Sequence, residues 1–370
     1  MPAESATPPL TRLLQLLDLE KIEENIFRGL SASHRIQRVF GGQVLGQALA
    51  AATRTVDAAR LCHSFHAYFL RPGDSRIPIL YEVDRSRDGG SFTARRVVAI
   101  QHGLPIFTLA ASFQVEESGF EHQSAMPVVP PPEELEDDQQ VLLRDPALPD
   151  HLRDWIARAQ AIETRSVIGR GPSAPSGDRA ARPALDHIWL RARGALPDDP
   201  AIHRALLAFV SDTTLLDTAL LPHGKSIFSN VQVASLDHAM WFHRPFRADD
   251  WLLYVQDSPS ASGARGFNRG AIYDRAGRLV ASVAQEGLIR PRSRAAIFVR
   301  GGFAAGARRD LRPCGTSGGV GGAGRADTSA LDARAPCHSR ANCHSRESGN
   351  PTSFDGVTLM SALRNRRTAW

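Results

Sequence analysis

Cysteine is scarce where it would matter: of four in 370 residues, only Cys62 precedes residue 291. One thiol cannot build a disulfide framework, so a reducing compartment is expected and stability must come from buried apolar surface. Long apolar runs are missing as well. No stretch of about 18 consecutive apolar residues occurs, which predicts no spanning helix and no membrane insertion. The amino-terminal MPAESATPPLTRLLQLLDLEKIEE has no charged segment leading into an apolar one. The carboxyl end, Arg-Thr-Ala-Trp, is not a Ser-Lys-Leu address, and a cytoplasmic protein is the expectation. Several chemistries lack their motif. No Gly-x-Ser-x-Gly elbow offers a serine nucleophile. Gly41-Gly-Gln-Val-Leu-Gly46 lacks the Gly-Lys-Ser/Thr of a phosphate loop, so its glycines read as helix-packing positions. His63-Ser-Phe-His66 turns its imidazoles to opposite faces of a strand, with no Cys or acid at ligand spacing. No metal and no cofactor are expected.

Charge of one sign is also missing once the chain is divided. The whole carries 44 basic and 39 acidic residues, a formal +5. Residues 291–370 hold 13 Arg and five acids, a net +8; the remaining 290 hold 31 and 34, a net −3. Basicity therefore belongs to an extension, and a nucleic-acid partner is not expected. That extension, 291–370, is Gly-rich, has no apolar period and is expected to be disordered. Within it Cys337-His-Ser-Arg340 recurs as Cys343-His-Ser-Arg346. The repeat lacks the spacing of a zinc finger and resembles translated bacterial repeat DNA, as a run-on would.

What is present is a body long enough for two domains and 42% hydrophobic residues. A segment at 118–160, with Met126-Pro-Val-Val-Pro-Pro-Pro132 and an acidic run, reads as a linker between domains at 10–117 and 161–290. The two flanks repeat each other. Phe69-Leu-Arg-Pro72 and Phe242-His-Arg-Pro245 each precede an alternating run, Ile79–Val83 and Trp251–Val255. Arg95–Ile100 and Arg269–Tyr273 follow, then glycine turns, then last strands that both end in glutamine, Gln114 and Gln285. Apolar runs bounded by Gly turns predict antiparallel sheet. Ahead of each sheet lies a segment apolar on nearly every side, Gly41–Ala52 and Ala205–Leu221, which predicts a buried helix. An antiparallel sheet wrapped on a central helix, twice over, is an α+β tandem hot-dog architecture forming an internal pseudo-dimer.

One carboxylate is out of place. Asp212 lies inside the apolar stretch 206–221, where a charge is costly unless hydrogen-bonded. Composition alone favours a helix cap next to Ser211. Ser235, in Val-Gln-Val-Ala-Ser, reads equally as a strand hydroxyl bonded to backbone, and Gln285 as an edge residue facing water. His63 reads first as a core histidine, and Trp189 and Trp241 as core aromatics.

The strings Val39-Phe-Gly-Gly-Gln-Val-Leu-Gly-Gln-Ala48, His63-Ser-Phe-His-Ala-Tyr-Phe-Leu-Arg-Pro-Gly-Asp74, Asp237-His-Ala-Met-Trp-Phe-His-Arg-Pro-Phe246 and Ser282-Val-Ala-Gln-Glu-Gly287 resemble the acyl-CoA thioesterase II family. The resemblance covers about residues 10–290. It implies hydrolysis of fatty acyl-CoA to fatty acid and CoA, with Asp212, Ser235 and Gln285 at the positions that activate water. Asp212 would be the general base and the other two would orient the water, with no covalent intermediate. Backbone N–H groups near a buried helix's amino end would receive the oxyanion. His63 and Gly42 would line the substrate pocket. Gly42-Gln43 is aligned with Asp212-Thr213, so the first copy lacks the carboxylate and one active site per chain is expected. A homo-oligomer, dimer or tetramer, is expected as well. The alternatives are a hot-dog hydratase or dehydratase on acyl thioesters and a non-catalytic acyl-CoA-binding protein.

Overall fold

In the computed structural model the described residues are 7–31, 38–145, 153, 160–168, 178–227 and 229–292. All of them belong to one compact unit, residues 1–304. The expected disordered extension therefore lies, from residue 293 on, outside the described residues.

Helix α1 (Pro9–Leu17) buries Leu10, Leu13, Leu16 and Leu17 on one stripe. Strands β1 (Glu20–Glu23) and β2 (Ile26–Gly29) lead to α2 (Gly41–Thr53), buried along nearly its whole length. Then come β3 (Arg60–Phe69), β4 (Ile79–Asp88), β5 (Phe92–Gln101) and β6 (Leu104–Val115). The second half runs through α3 (Asp138–Arg144), β7 (Ile162–Ser166), β8 (Leu185–Ala192) and α4 (Pro200–Ser211). It closes with β9 (Val231–Ser235), β10 (Asp237–Phe242), β11 (Leu252–Ser262), β12 (Arg265–Asp274) and β13 (Leu279–Pro291).

All thirteen strands form one antiparallel sheet, ordered β1-β2-β4-β5-β6-β3-β10-β13-β12-β11-β8-β7, with β9 against β13. Each half is the sheet curled on a helix that the repeat predicts. The halves join where β3 pairs with β10, His66 facing Ala239. Counting from the shared Phe-x-Arg-Pro, His66 and Ala239 are each other's equivalents, so the pseudo-twofold passes between them. Register then relates the two halves residue by residue, and it corrects the sequence alignment. His66 faces Ala110 on β6 and Ala239 faces Ala284 on β13. Gln285 therefore corresponds to Ala111, three positions short of Gln114, whose amide instead reaches the exposed Glu117.

The two central helices pack without room to spare. A Cβ on Gly42 would stand 2.2 Å from the Phe209 carbonyl oxygen, and one on Gly46 2.9 Å from that of Ala205. Glycine lets the backbones meet, as the failed phosphate-loop motif suggests, and the contacts set α2 and α4 antiparallel. Buried Gln47 is satisfied, donating to the carbonyls of Leu16 and Leu30 and accepting from the Tyr81 hydroxyl.

The second helix departs from expectation. Instead of one helix over 205–221, α4 starts earlier, capped by Asp199 and Pro200, and stops at Ser211. The chain then enters a 3-10 helix over Leu215–His223, ending at Gly224 with φ +61°. Pro200–His223 together are long and apolar enough to cross a bilayer by length and composition alone, and two-thirds of the qualifying window is buried in the fold. Trp189 packs with Trp251, Leu253 and Tyr273, while Trp241 is half-buried with its ring edge-on to His66.

Candidate functional site

The break between α4 and the 3-10 helix creates the site. Asp212 is the residue after the last turn of α4, and its N–H bonds to the Val210 carbonyl instead of continuing the α ladder. Its side chain turns inward, 9% of the residue exposed, against the amino end of α2 from the other half. A Cβ on Gly41 would lie 2.5 Å from Asp212 Oδ2, so only glycine leaves space there. The Gly42 N–H hydrogen-bonds to the Asp212 carboxylate, where the positive end of the α2 dipole also favours an anion.

Asp212 Oδ1 accepts from Ser235 Oγ at 3.0 Å and from Gln285 Nε2 at 2.5 Å. Three elements thus converge: the end of α4, the end of β9 and the middle of β13. Ser235 faces Gly287 across β9 and β13, and the missing side chain at Gly287 admits Leu216, which would lie 2.4 Å from a Cβ there. Gln285 Oε1 is a buried acceptor without a partner among the described residues. Burial raises the Asp212 carboxyl from 3.8 to about 6, against the pull of its bonds from Gln285, Ser235 and the Gly42 N–H. Such a group is ionised at neutral pH yet basic enough to take a proton.

The other expected positions fare differently. Gly42 belongs to this site through its N–H, bonded to the carboxylate, not through a side chain. Nor is it the counterpart of Asp212, since it opens α2 while Asp212 follows α4. His63 makes its contacts elsewhere: Nε2 lies 2.8 Å from Ser112 Oγ and the ring stands edge-on to Phe92.

Sequence reasoning passed over His238. It is fully buried, its Nε2 is 2.9 Å from Ser211 Oγ, and its Nδ1 is 3.9 Å from Asp212 Oδ1. Burial drives this imidazole down to about 3, so it is neutral at physiological pH. The signal was available: four residues before the shared Phe-x-Arg-Pro, the first copy has Phe65 where the second has a histidine. A surface concavity of about 530 Å³, lined by Glu163, Arg191, Arg193 and Asp249, includes none of these residues.

Two family models match the chain, acyl-CoA thioesterase N-terminal domain over residues 30–114 and acyl-CoA thioesterase over residues 174–288. An acyl-CoA thioesterase 2 from Haemophilus influenzae is 44% identical over 284 residues, 76% of this chain and 98% of the relative. The crystal structure of an acyl-CoA thioesterase II, TesB2, from Mycobacterium marinum is 46% identical at a TM-score of 0.62, covering 76% of this chain and 99% of its own. A hot-dog protein of unknown function from Alicyclobacillus acidocaldarius, 20% identical, matches with a TM-score of 0.60 over 76% of this chain and 98% of its own. That last match speaks to the fold alone.

Proposed function

The chain belongs to the acyl-CoA thioesterase II family and hydrolyses acyl-CoA thioesters, and on that premise we propose that Asp212 is the general base of its single active site. The observation that carries this is the convergence of Ser235 Oγ and Gln285 Nε2 on a buried carboxylate. A thioester carbonyl is electrophilic and its thiolate leaves readily, so a positioned water suffices. Asp212 takes one proton from that water. The second hydrogen of the same water is held by the unpartnered Gln285 Oε1. The oxygen adds to the carbonyl, the tetrahedral intermediate collapses, and Asp212 returns its proton to the departing CoA thiolate. Ser235 and Gln285 orient the carboxylate throughout, which keeps the entropic cost of alignment out of the chemical step.

Fatty acyl-CoA is the proposed substrate class, and residues 10–117 and 161–290 are the proposed hot-dog domains joined by 118–160. A cytoplasmic homo-oligomer belongs to the same proposal. It is supported by Cys62, buried and the one cysteine among the described residues, and by the edge strand β1, exposed along its length. The deciding experiment is Asp212→Asn, followed by thiol release from palmitoyl-CoA. The expected loss in kcat is about 10²–10⁴-fold with the fold intact; near-wild-type turnover by the folded variant would remove Asp212 from the mechanism.

A further inference from the structure

An imidazole sealed in a core is costly unless both nitrogens are satisfied. His238 satisfies one. At the equivalent position the first half has Phe65, and the two rings lie nearly parallel, 6.2 Å between centroids. Packing alone is met by phenylalanine there, so the second half has a ring nitrogen to spare, and it faces Asp212.

Which nitrogen carries the proton follows from where α4 ends. The Ala208 carbonyl would ordinarily receive the N–H four residues on, that of Asp212. That N–H goes to Val210 instead, and Ala208 takes the Ser211 hydroxyl proton at 3.0 Å. Ser211 has one proton, so toward His238 its oxygen accepts, and the proton sits on Nε2. Nδ1 is then a bare lone pair, buried, without a hydrogen-bond partner among the described residues, 3.9 Å from Asp212 Oδ1. That separation is outside hydrogen-bond length.

We propose that His238 is the positioning residue of the Asp212 base, its Nδ1 lone pair discouraging the carboxylate's charge and accepting a hydrogen bond from the carboxyl once Asp212 holds the proton of water. The proposal rests on Asp212 as the base. The step balances: water loses a proton to Asp212, its oxygen bonds to the acyl carbon, and the Asp212 O–H points to Nδ1 until it passes to the thiolate. His238 thus favours the protonated carboxyl on both sides of the transfer. The groups packed around the pair leave it to act alone. Tyr254 from β11, facing Asp212 with its hydroxyl donated to the Ser211 carbonyl, is held neutral by burial. The amino end of α2 contributes Gly41 and Gly42, β3 contributes Phe65 and Phe69, and β9 and β13 contribute uncharged Ser235 and Gln285.

Two substitutions divide the nitrogens. His238→Gln reaches Ser211 as Nε2 does but has no acceptor at the Nδ1 position; His238→Asn has its oxygen near Nδ1 and abandons Ser211. Rates of thiol release from palmitoyl-CoA are measured from pH 4.5 to 9 on the full chain, with melting temperature as a control on folding. His238→Gln is expected to move the acidic limb of kcat/KM down by about one pH unit and to lower kcat about tenfold, with KM within about twofold. His238→Asn restores the limb. An unmoved limb in His238→Gln overturns the proposal. On the unaltered protein, nitrogen NMR of labelled histidine reads the tautomer directly: a proton on Nε2 is expected, and a proton on Nδ1 overturns it. If Asp212→Asn retains activity, the base assignment fails and this falls with it. If that variant is inactive while His238→Gln has the wild-type limb, only the role of His238 falls.

Discussion

The two halves of this sheet share a scaffold and diverge at one set of positions. Where the second half places Ser235, His238 and Gln285, the register gives the first Cys62, Phe65 and Ala111, all buried. Asn268, buried on β12 opposite Gln285, is answered by Arg95, which is tied to Thr55 and Asp88. Polar side chains around a carboxylate in one half thus become a thiol, two hydrocarbon groups and a pinned cation in the other. The first half's buried cation is fully engaged by Thr55 and Asp88, whereas around Asp212 the Gln285 Oε1 and His238 Nδ1 acceptors have no partner among the described residues. With Asp212 as the proposed base, the pseudo-symmetric scaffold carries one site, and the reason is chemical complementarity at four or five positions.

That contrast is sharpened most by giving the second half the first half's residue at Gln285. Gln285→Ala removes the 2.5 Å bond to the carboxylate, and kcat should drop about 10- to 100-fold. The bond favours the ionised form, so its loss raises Asp212 further above 6 and moves the acidic limb of the rate profile to higher pH. This is opposite in sign to the shift expected for His238→Gln, and measuring both profiles separates the two roles.

The glycines of α2 come next. Gly41→Ala drives a methyl at Asp212 Oδ2 and should lower kcat about tenfold with little change in melting temperature. Gly42→Ala meets the Phe209 backbone carbonyl, which cannot swing aside. It should cost about 1–3 kcal/mol of stability, read as an earlier denaturant midpoint. The smallest effect belongs to Cys62→Ser in the first half. With no carboxylate beside it, the new hydroxyl should leave kcat within about twofold and cost about 1 kcal/mol. A large loss of activity there would break the contrast between the halves.

Much of this was legible before any coordinates. The Phe-x-Arg-Pro pair and the alternating runs behind it placed six strands in the right chain order, because alternation and glycine turns are local signals. Asp212 stood out as a charge in an apolar stretch, and the family resemblance joined it to Ser235 and Gln285. Three things were missed. Apolar residues continue from Leu206 to Leu221, so hydropathy cannot show that the α ladder breaks at Asp212, and the break is what aims the carboxylate. Matching Gln114 to Gln285 ignored register, which depends on pairing and bulges between distant strands. His238 was hidden for a subtler reason: a histidine in a strand is unremarkable until its counterpart across the repeat is known to be Phe65.

The seam where His66 faces Ala239 has a consequence for how such an enzyme can change over time. In a dimer of identical single hot dogs, any substitution appears twice, so exchanging a phenylalanine for a buried histidine strains two cores at once. Joined in one polypeptide, each half mutates alone. The first copy is free to trade reactivity for packing, and the second can hold a poorly satisfied polar cluster because its neighbour supplies the cohesion. With Asp212 as the proposed base, covalent linkage across β3 and β10 turns a symmetric assembly into a division of labour between a stabilising half and a reacting one.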